Sequence, residues 1–308
     1  MEYIKQVLTV HKKTVFLIVT LGILLFGGFL FFQKFSPGPE KEVEEADLIF
    51  DAEGPFAQLF PRRDGNALIL TLKRTASYDE ITYELAYASS IDERAVAGNK
   101  ILDDGESGRT EAIDRGVAGT IDTRDKKGEY EQEILFGTCS KNVCKYDKGV
   151  ENGTLTLHIR KSNKEYRMVT QWHLQRVDVA LGNLSSGDEH LIYKVSGDRQ
   201  ELSNVGFSII NDLTGVPKLP EGKQVLGKVY ALNVPITKSL PGGDVSLELA
   251  ENPPAGAKLV RFNESENKWD ELDTLRQDFD GELSRTAQGK LAAKASGSGI
   301  FAVLIPKK

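Results

Sequence analysis

One stretch of the sequence, residues 14–33, constrains the chain more than any other. It contains no charged residue and reads TVFLIVTLGILLFGGFLFFQ, so a helix made from it would be almost wholly apolar. Twenty helical residues rise about 30 Å, which is the thickness of the hydrocarbon core of a bilayer. A buried helix of a soluble protein is rarely apolar on every side over such a length. We therefore predict a transmembrane signal-anchor helix at residues 14–33.

The main alternative for this stretch is a cleaved signal peptide. Its apolar core is longer than the apolar region of a usual signal peptide, and no small-x-small cleavage site follows it. The exit from the stretch instead reads Phe31-Phe32-Gln33-Lys34-Phe35. These two features favour an uncleaved anchor.

The charges that flank the stretch predict its orientation. Three lysines precede it and two follow it, and the last of these lies among four glutamates: Lys5, Lys12 and Lys13, then Lys34 and Lys41. Positive charge is retained on the cytoplasmic side of a membrane. We therefore expect a single-pass membrane protein with residues 1–13 in the cytoplasm and the bulk of the chain in an extracytoplasmic position.

The net charge limits the partners of the extracytoplasmic part. The chain has 39 Lys and Arg and 45 Asp and Glu. Residues 1–33 contain three Lys and one Glu, so 36 basic and 44 acidic residues remain beyond them, a net charge of −8. Nucleic-acid binding needs a basic surface, and so does adhesion to an anionic lipid surface. Both functions are disfavoured, and we predict no nucleic-acid partner.

The rest of the chain predicts a mainly β fold. Residues 34–47 hold two prolines and an acidic run, which is typical of a linker. Beyond them the apolar residues recur with a period of two, the pattern of half-buried strands, and few windows carry a helical period. We predict two β-sandwich (Ig-like) domains, an N-terminal one at 48–190 and a C-terminal one at 191–308.

The N-terminal domain shows its clearest strand patterns at 67–72, 81–87, 154–159 and 166–174. Glu151-Asn152-Gly153 lies between two such patterns and predicts a hairpin turn. Residues 88–130 are rich in charge and glycine, so we expect a long loop there with a short strand near 116–121. Long loops on a sandwich often carry recognition.

The C-terminal domain shows seven strand patterns and one further hairpin. The hairpin turn is expected at 263–267, between apolar segments on either side. The predicted strands are Val205–Ile210, Gly227–Val234, Val245–Leu249, Lys258–Phe262, Lys268–Leu272, Lys290–Ala293 and Gly299–Ile305.

Cys139 and Cys144 are the only cysteines of the sequence. Their spacing is too wide for a Cys-x-x-Cys redox motif, and no second pair or nearby histidine completes a zinc site. Outside the cytoplasm such a pair can close a small disulfide loop, and two free thiols are the alternative. We predict a structural disulfide between Cys139 and Cys144.

The last hundred residues resemble a β-sandwich module found near the ends of many bacterial cell-surface proteins. The matching segments run from Leu219-Pro220-Glu221-Gly222 through Lys268-Trp269-Asp270-Glu271-Leu272 to Gly299-Ile300-Phe301-Ala302-Val303-Leu304. The resemblance covers about residues 200–306 and implies a fold and a surface location, not a reaction. Some relatives of this kind cleave themselves at a His-Phe-Ser step, but the aligned Gly297-Ser298-Gly299 lacks that step, so we expect no self-cleavage.

The sequence contains no recognisable catalytic motif. No serine elbow, S-x-x-K motif, phosphate-binding loop or helical pair of histidines occurs. His158 and His173 could approach each other if their strands pair, and acidic pairs occur at Asp103/Asp104 and Asp122/Asp125. Asp278-Phe279-Asp280-Gly281-Glu282 could hold calcium weakly but does not match the EF-hand template. We therefore assign no catalytic, cofactor-binding or metal-binding residue and no cofactor.

Three functions are consistent with these observations. The preferred one is a membrane-anchored, non-enzymatic protein that binds an envelope protein or a wall polymer outside the membrane, or has a structural role there. The second is an extracytoplasmic wall or glycan hydrolase, which needs two carboxylates in one groove. The third is a membrane-tethered subunit of an envelope assembly, in which the anchor helix makes the contacts.

Overall fold

The computed structural model of the chain describes residues 45–48, 54–90, 112–141, 143–264, 266–278 and 289–307. The predicted cytoplasmic segment and the predicted membrane span, residues 1–33, lie outside this part of the chain. Among the described residues, no helix combines the length and the apolar composition that a membrane crossing requires.

The described residues confirm a mainly β fold, with twenty strands and one short helix. The first ten strands are β1 (Glu45–Asp47), β2 (Phe56–Pro61), β3 (Ala67–Lys73), β4 (Glu80–Ser90), β5 (Ala112–Ile121), β6 (Tyr130–Leu135), β7 (Gly137–Ser140), β8 (Val143–Tyr146), β9 (Asn152–Lys161) and β10 (Lys164–Arg176). Then follow β11 (Asn183–Ser185), β12 (Leu191–Val195), α1 (Arg199–Ser203), β13 (Phe207–Leu213), β14 (Lys223–Asn233), β15 (Gly243–Leu249), β16 (Lys258–Asn263), β17 (Lys268–Glu271), β18 (Leu275–Asp278), β19 (Gly289–Ala295) and β20 (Gly299–Pro306).

These strands form one long sheet and three smaller ones. The long sheet has the strand order β17-β16-β20-β14-β13-β10-β9-β4-β5, and β1 pairs with β10 in parallel. The smaller sheets are β11-β12-β15-β19-β18, β2-β3-β6 and the two-stranded β7-β8. All other pairings between strands are antiparallel.

The three-stranded sheet shares a hydrophobic core with the β10-β9-β4-β5 part of the long sheet. In β3, β4, β9 and β10 the residues buried there alternate with more exposed ones, as the period of two predicts. Leu70 of β3, Leu85 of β4 and Leu157 of β9 are almost completely buried in this core. The opposite face of the same four strands carries mostly polar and small side chains.

The five-stranded sheet shares a second core with the β13-β14-β20 part of the long sheet. Tyr193 of β12 and Phe301 of β20 meet in this core, with ring centroids 6.2 Å apart. Ile209 of β13 belongs to the first core, and its neighbour Ile210 belongs to the second. Since successive side chains of a strand point to opposite faces, the two cores lie on opposite faces of the long sheet.

The long sheet is common to both predicted sandwiches. β10 pairs with β13 from Trp172↔Asn211 to Arg176↔Phe207, which joins the N-terminal strands to the C-terminal ones. In addition, β11 pairs with β12, so the second layer begins before residue 191. The division into domains at 190/191 stays a prediction, but backbone hydrogen bonds are continuous across the long sheet.

The predicted hairpin turn at 151–153 is wrong. β9 begins at Asn152, inside that turn, and the two-residue turn of its hairpin with β10 is Ser162-Asn163. Gly153 lies within β9. It is a glycine because a Cβ there would lie 2.3 Å from both the Ala86 carbonyl oxygen and Cζ2 of Trp172. The glycine therefore reflects close packing within the sheet and not a turn.

Three other predictions can be compared with the structure. The linker predicted at 34–47 ends earlier, since its last three residues form β1. The predicted strand near 116–121 belongs to the longer β5, and residues 91–111 of the predicted loop lie outside the described part of the chain. Cys139 and Cys144 face each other across the β7-β8 ladder and are joined by a disulfide, which agrees with the predicted pairing.

Candidate functional site

A cleft of about 430 Å³ lies where the polar face of the N-terminal strands meets the turn between β11 and β12. Ala86 of β4, Thr154 of β9 and Gln171 of β10 lie on this face and line the cleft. The Ser186-Gly187-Asp188 turn and Tyr230 of β14 line its other side. The cleft exists because the side chains on β4 and β9 are small there and the turn covers this part of the sheet only partly.

The carboxylate of Asp188 is the centre of a hydrogen-bond network in this cleft. Its Oδ1 accepts a hydrogen bond from Ser186 Oγ at 2.6 Å and from the His190 backbone N–H at 3.3 Å. Its Oδ2 accepts from Lys228 Nζ at 2.9 Å and from Tyr230 Oη at 2.7 Å. The network therefore ties the β11-β12 turn to β14 of the long sheet.

This network sets the protonation of its members. Burial opposes the charge of Asp188, but the hydrogen bonds from Ser186, Lys228 and Tyr230 outweigh burial and hold the pKa of Asp188 far below its usual range. Burial and the adjacent Asp188 carboxylate both raise the pKa of the Tyr230 hydroxyl. Asp188 is thus ionised and Tyr230 is a hydrogen-bond donor at any physiological pH.

Asp212, a second carboxylate that lines the cleft, has the opposite tendency. Its Oδ1 accepts a hydrogen bond from the Gln171 backbone N–H at 2.6 Å, and its Oδ2 lies 3.7 Å from Lys228 Nζ. Burial raises the pKa of Asp212 above its ordinary value of 3.8, and these two favourable contacts do not cancel that effect. The charge of Asp212 at neutral pH therefore costs folding free energy.

We expect the substitution Asp212→Asn to stabilise the protein near pH 7. The gain should be at the low end of the about 0.5–2 kcal/mol that stabilising substitutions commonly provide. The gain should shrink as the pH falls through the raised pKa that Asp212 has in the folded protein. It should vanish below the ordinary value of 3.8, because there the wild-type carboxyl is protonated in the folded and in the unfolded protein. Thermal melting of both proteins at pH 7 and pH 3.5 measures the difference.

Asp178→Asn is the matched control for this prediction. Asp178 is a surface carboxylate whose pKa is lowered by its hydrogen bonds with Arg176, so its neutralisation should give no gain at pH 7. A gain for Asp212→Asn that is equally large at pH 3.5 would contradict the argument from burial.

Three side chains of the cleft make no hydrogen bond or ion pair to other described residues. They are the Asp114 carboxylate, the Thr154 hydroxyl and the Gln171 amide. The indole N–H of Trp172, which also lines the cleft, is buried without an acceptor among the described residues. The cleft thus combines a network that is already satisfied with three polar side chains, those of Asp114, Thr154 and Gln171, that are available to a ligand.

The histidines singled out from the sequence do not form one site. β9 and β10 do pair, but His158 lies opposite Arg167 and His173 lies opposite Asn152, at different ends of the ladder. His158 Nδ1 is instead 2.5 Å from Glu45 Oε1 on β1. His173 Nδ1 is 2.6 Å from Asn152 Oδ1, and burial lowers the pKa of His173.

The acidic pairs from the sequence do not line the cleft either. Asp122 and Asp125 lie in an exposed turn and pair locally with Arg124 and Lys127. The hydrogen bonds from Arg124 lower the pKa of Asp122 to about 2, so it is a poor proton donor. The Asp103/Asp104 pair lies outside the described residues, and so do the last four residues of the 278–282 turn.

Asp188, Asp212 and Lys228 were not predicted as site residues from the sequence. One signal was available, since the alternation along β14 places Lys228 and Tyr230 on the same face of the sheet. No such signal was available for Asp188, because in the sequence the Ser-Gly pair before it looks the same as in a solvent-exposed turn. Comparison with family models, with curated proteins and with solved structures finds no significant match to this chain.

Proposed function

We propose that the chain is a membrane-anchored extracytoplasmic protein that binds a partner of the cell envelope through the cleft beside Asp188. In this proposal residues 14–33 span the membrane, residues 1–13 are cytoplasmic, and two Ig-like sandwiches that share the long sheet form the extracytoplasmic body. The apolar run and its flanking lysines support the anchor and its orientation. The C-terminal resemblance to surface-protein modules supports the location.

The observation that carries the binding function is the division of polar groups within the cleft. Asp188 and Asp212 are occupied by donors of the protein itself, whereas Asp114, Thr154 and Gln171 are not. A rigid wall with a few unpartnered polar groups is typical of a site that recognises a ligand.

The charge of the cleft indicates the chemistry of that ligand. Three carboxylates line the cleft and outnumber its two cations: Arg115 also lines the cleft but pairs with Asp147, and Lys228 contacts two of the carboxylates. An anionic ligand would be repelled, whereas hydroxyl or ammonium groups would find acceptors at Asp114 and at the Gln171 carbonyl. We therefore propose a basic segment of an envelope protein as the partner, and a wall polymer is an outcome of the test.

The alternative of a wall or glycan hydrolase has less support. A glycosidase needs one carboxyl group that donates a proton and another that attacks or activates water. Asp188 is held as a carboxylate by four donors, and Asp212 Oδ1 is held by the Gln171 backbone N–H. Neither carboxyl group is free to approach a sugar, so Asp114, the third carboxylate of the cleft, lacks the second free carboxyl group that the reaction needs. The third alternative, assembly through the anchor helix, concerns residues outside the described part of the chain.

Photo-crosslinking in intact cells tests the proposal. A photoreactive residue replaces Gln171 in the cleft or, as the matched control, Lys127, whose side chain is 73% exposed in the turn between β5 and β6 and does not line the cleft. We expect one dominant protein crosslink from position 171 and none from position 127. Asp114→Lys should abolish the crosslink from position 171, because it reverses the charge of an unpartnered acceptor.

Two results would contradict the proposal. The first is a crosslink that is the same from both positions, which would indicate nonspecific proximity. The second is a crosslink from position 171 that Asp114→Lys leaves unchanged. Glycan fragments in place of a protein would assign the cleft to a wall polymer.

A further inference from the structure

A second group of side chains lies on the same polar face of the long sheet, outside the cleft. It consists of Glu45 on β1, His158 on β9 and Glu165 on β10. One nitrogen or oxygen atom from each of these side chains lies within 4.8 Å of the other two. Because β1 and β9 flank β10, the three side chains come from three adjacent strands.

We propose that Glu45, His158 and Glu165 bind a divalent transition-metal ion of the zinc class, and that this ion fastens β1 to the sheet. Imidazole nitrogen and carboxylate oxygen are both zinc ligands, and three protein ligands would leave the fourth tetrahedral position to water. Magnesium and calcium prefer oxygen ligands only, so the imidazole selects against them. All three side chains are at least partly exposed, which leaves the fourth position open to solvent.

The pairing of β1 supplies an independent argument for a cation. Glu45 and Glu165 are direct partners in the parallel β1-β10 ladder. Like charges directly opposite each other on neighbouring strands are destabilising. β1 is only three residues long, so it has few backbone hydrogen bonds to offset this repulsion. A divalent ion between the two carboxylates would convert the repulsion into attraction.

The neighbouring arginines do not occupy the site. Arg160 lies directly opposite Glu165 in the β9-β10 ladder, but its guanidinium pairs with Glu80 on the other side. Arg167 donates a hydrogen bond from Nε to Asp47 Oδ1 at 2.7 Å. Each arginine therefore has its own carboxylate on the same face. The three proposed ligands retain two negative charges, which a divalent ion would balance.

The geometry requires only a small adjustment. His158 Nδ1 and Glu45 Oε1 are 2.5 Å apart and share a proton in a hydrogen bond. Two ligand atoms of a tetrahedral zinc ion, each about 2.0–2.2 Å from the metal, are roughly 3.4 Å apart. An ion that displaces the proton would therefore increase the distance between these two atoms by about 1 Å. A rotation of the exposed Glu45 side chain can provide this movement.

The site would act on the junction between the predicted linker and the folded part of the chain. β1 is held by its short ladder, by the Arg167–Asp47 pair and by the Leu48 N–H, which donates to the Arg167 carbonyl at 2.8 Å. A metal ion would add a bond from Glu45 to strands that lie more than a hundred residues further along the chain. The ion would thereby hold the end of the linker against the sheet.

Zinc titration of the full-length, tag-free chain in detergent micelles tests this proposal. A fluorescent chelator competes for the metal and reports the stoichiometry and affinity. We expect one Zn²⁺ per chain, and a loss of affinity of about 100-fold or more for His158→Gln and for Glu165→Gln, because loss of outer-shell partners alone already costs 10–100-fold. His173→Gln is the matched control, since His173 lies on the same face but outside the group, and it should retain the wild-type affinity.

Hydrogen exchange supplies a readout at the site itself. Zn²⁺ should slow amide exchange in peptides that contain Glu45–Leu48 in the wild type and in His173→Gln, but not in His158→Gln. Circular dichroism of the metal-free variants shows whether they fold, and Glu165→Gln keeps the test decisive if His158→Gln does not. The absence of stoichiometric binding, or binding that both ligand substitutions leave unchanged, would overturn the proposal.

Discussion

Phe136→Ala is expected to lower the free energy of unfolding by about 3–5 kcal/mol, the range for loss of a fully buried phenylalanine. Phe136 is 0% exposed and lies between two other aromatic rings. Its ring centroid is 5.0 Å from that of Tyr87 on β4 and 5.7 Å from that of Trp172 on β10. Truncation therefore leaves a cavity between strands that cannot easily move together. Denaturant unfolding followed by tryptophan fluorescence measures the change.

Val143→Ala is the control for this experiment. Val143 is the first residue of β8, in the hairpin that directly follows Phe136, but 67% of it is exposed. Its truncation should therefore change the free energy of unfolding by less than about 0.5 kcal/mol. Similar losses for both substitutions would mean that Phe136 does not anchor the N-terminal core. A large loss for Phe136→Ala alone would show that the link between β6 and β7, which is Phe136 itself, is part of the folded core.

Gly153→Ala should have the second large effect and should also disturb the cleft. The added Cβ would lie 2.3 Å from the Ala86 carbonyl oxygen and 2.3 Å from Trp172 Cζ2. Real Cβ atoms do not approach other atoms so closely, so the β4-β9 ladder or the indole ring must move. We expect a loss of about 1–3 kcal/mol, the usual cost of overpacking a close-packed interior. Because Gly153 and Trp172 both line the cleft, the crosslink from position 171 should weaken as well.

Gly116→Ala is the matched control on the neighbouring strand. Gly116 of β5 is the partner of Ala86 in the β4-β5 ladder, yet a Cβ there would meet no atom within 4 Å. Since alanine restricts the unfolded chain more than glycine does, this change should be neutral or slightly stabilising. Equal destabilisation by the two substitutions would show that the loss comes from glycine replacement in general and not from the contact with Trp172.

The cleft and the proposed metal site both use the polar face of β9 and β10. Thr154 and His158 lie on this face of β9, four residues apart, and Gln171 and Glu165 lie on it in β10. The other face of the same strands is filled by the first core. A single β-ladder therefore carries stability on one face and, in our proposals, recognition and metal binding on the other.

Much of the secondary structure could be predicted from the sequence because it depends on local patterns. The period of two located β3, β4, β9 and β10, and turn residues located the β16-β17 hairpin at 263–267. The disulfide pairing followed from the presence of two cysteines a few residues apart. Each of these features depends on residues that are close together along the chain, so one sequence contains the information that they need.

The arrangement of the strands was decided only in the tertiary structure. Alternation shows which residues of a strand are buried but not which strand lies beside it. The continuous sheet through β10 and β13, the seat of β1 on β10, and the meeting of Asp188 with Lys228 and Tyr230 all join residues that are far apart in sequence. Such pairings depend on the close packing of the whole core, which no local pattern encodes. For the same reason Gly153 resembled a turn residue in the sequence. In the structure it is a strand residue that packs too closely against the Ala86 carbonyl of β4 and the Trp172 indole to carry a side chain.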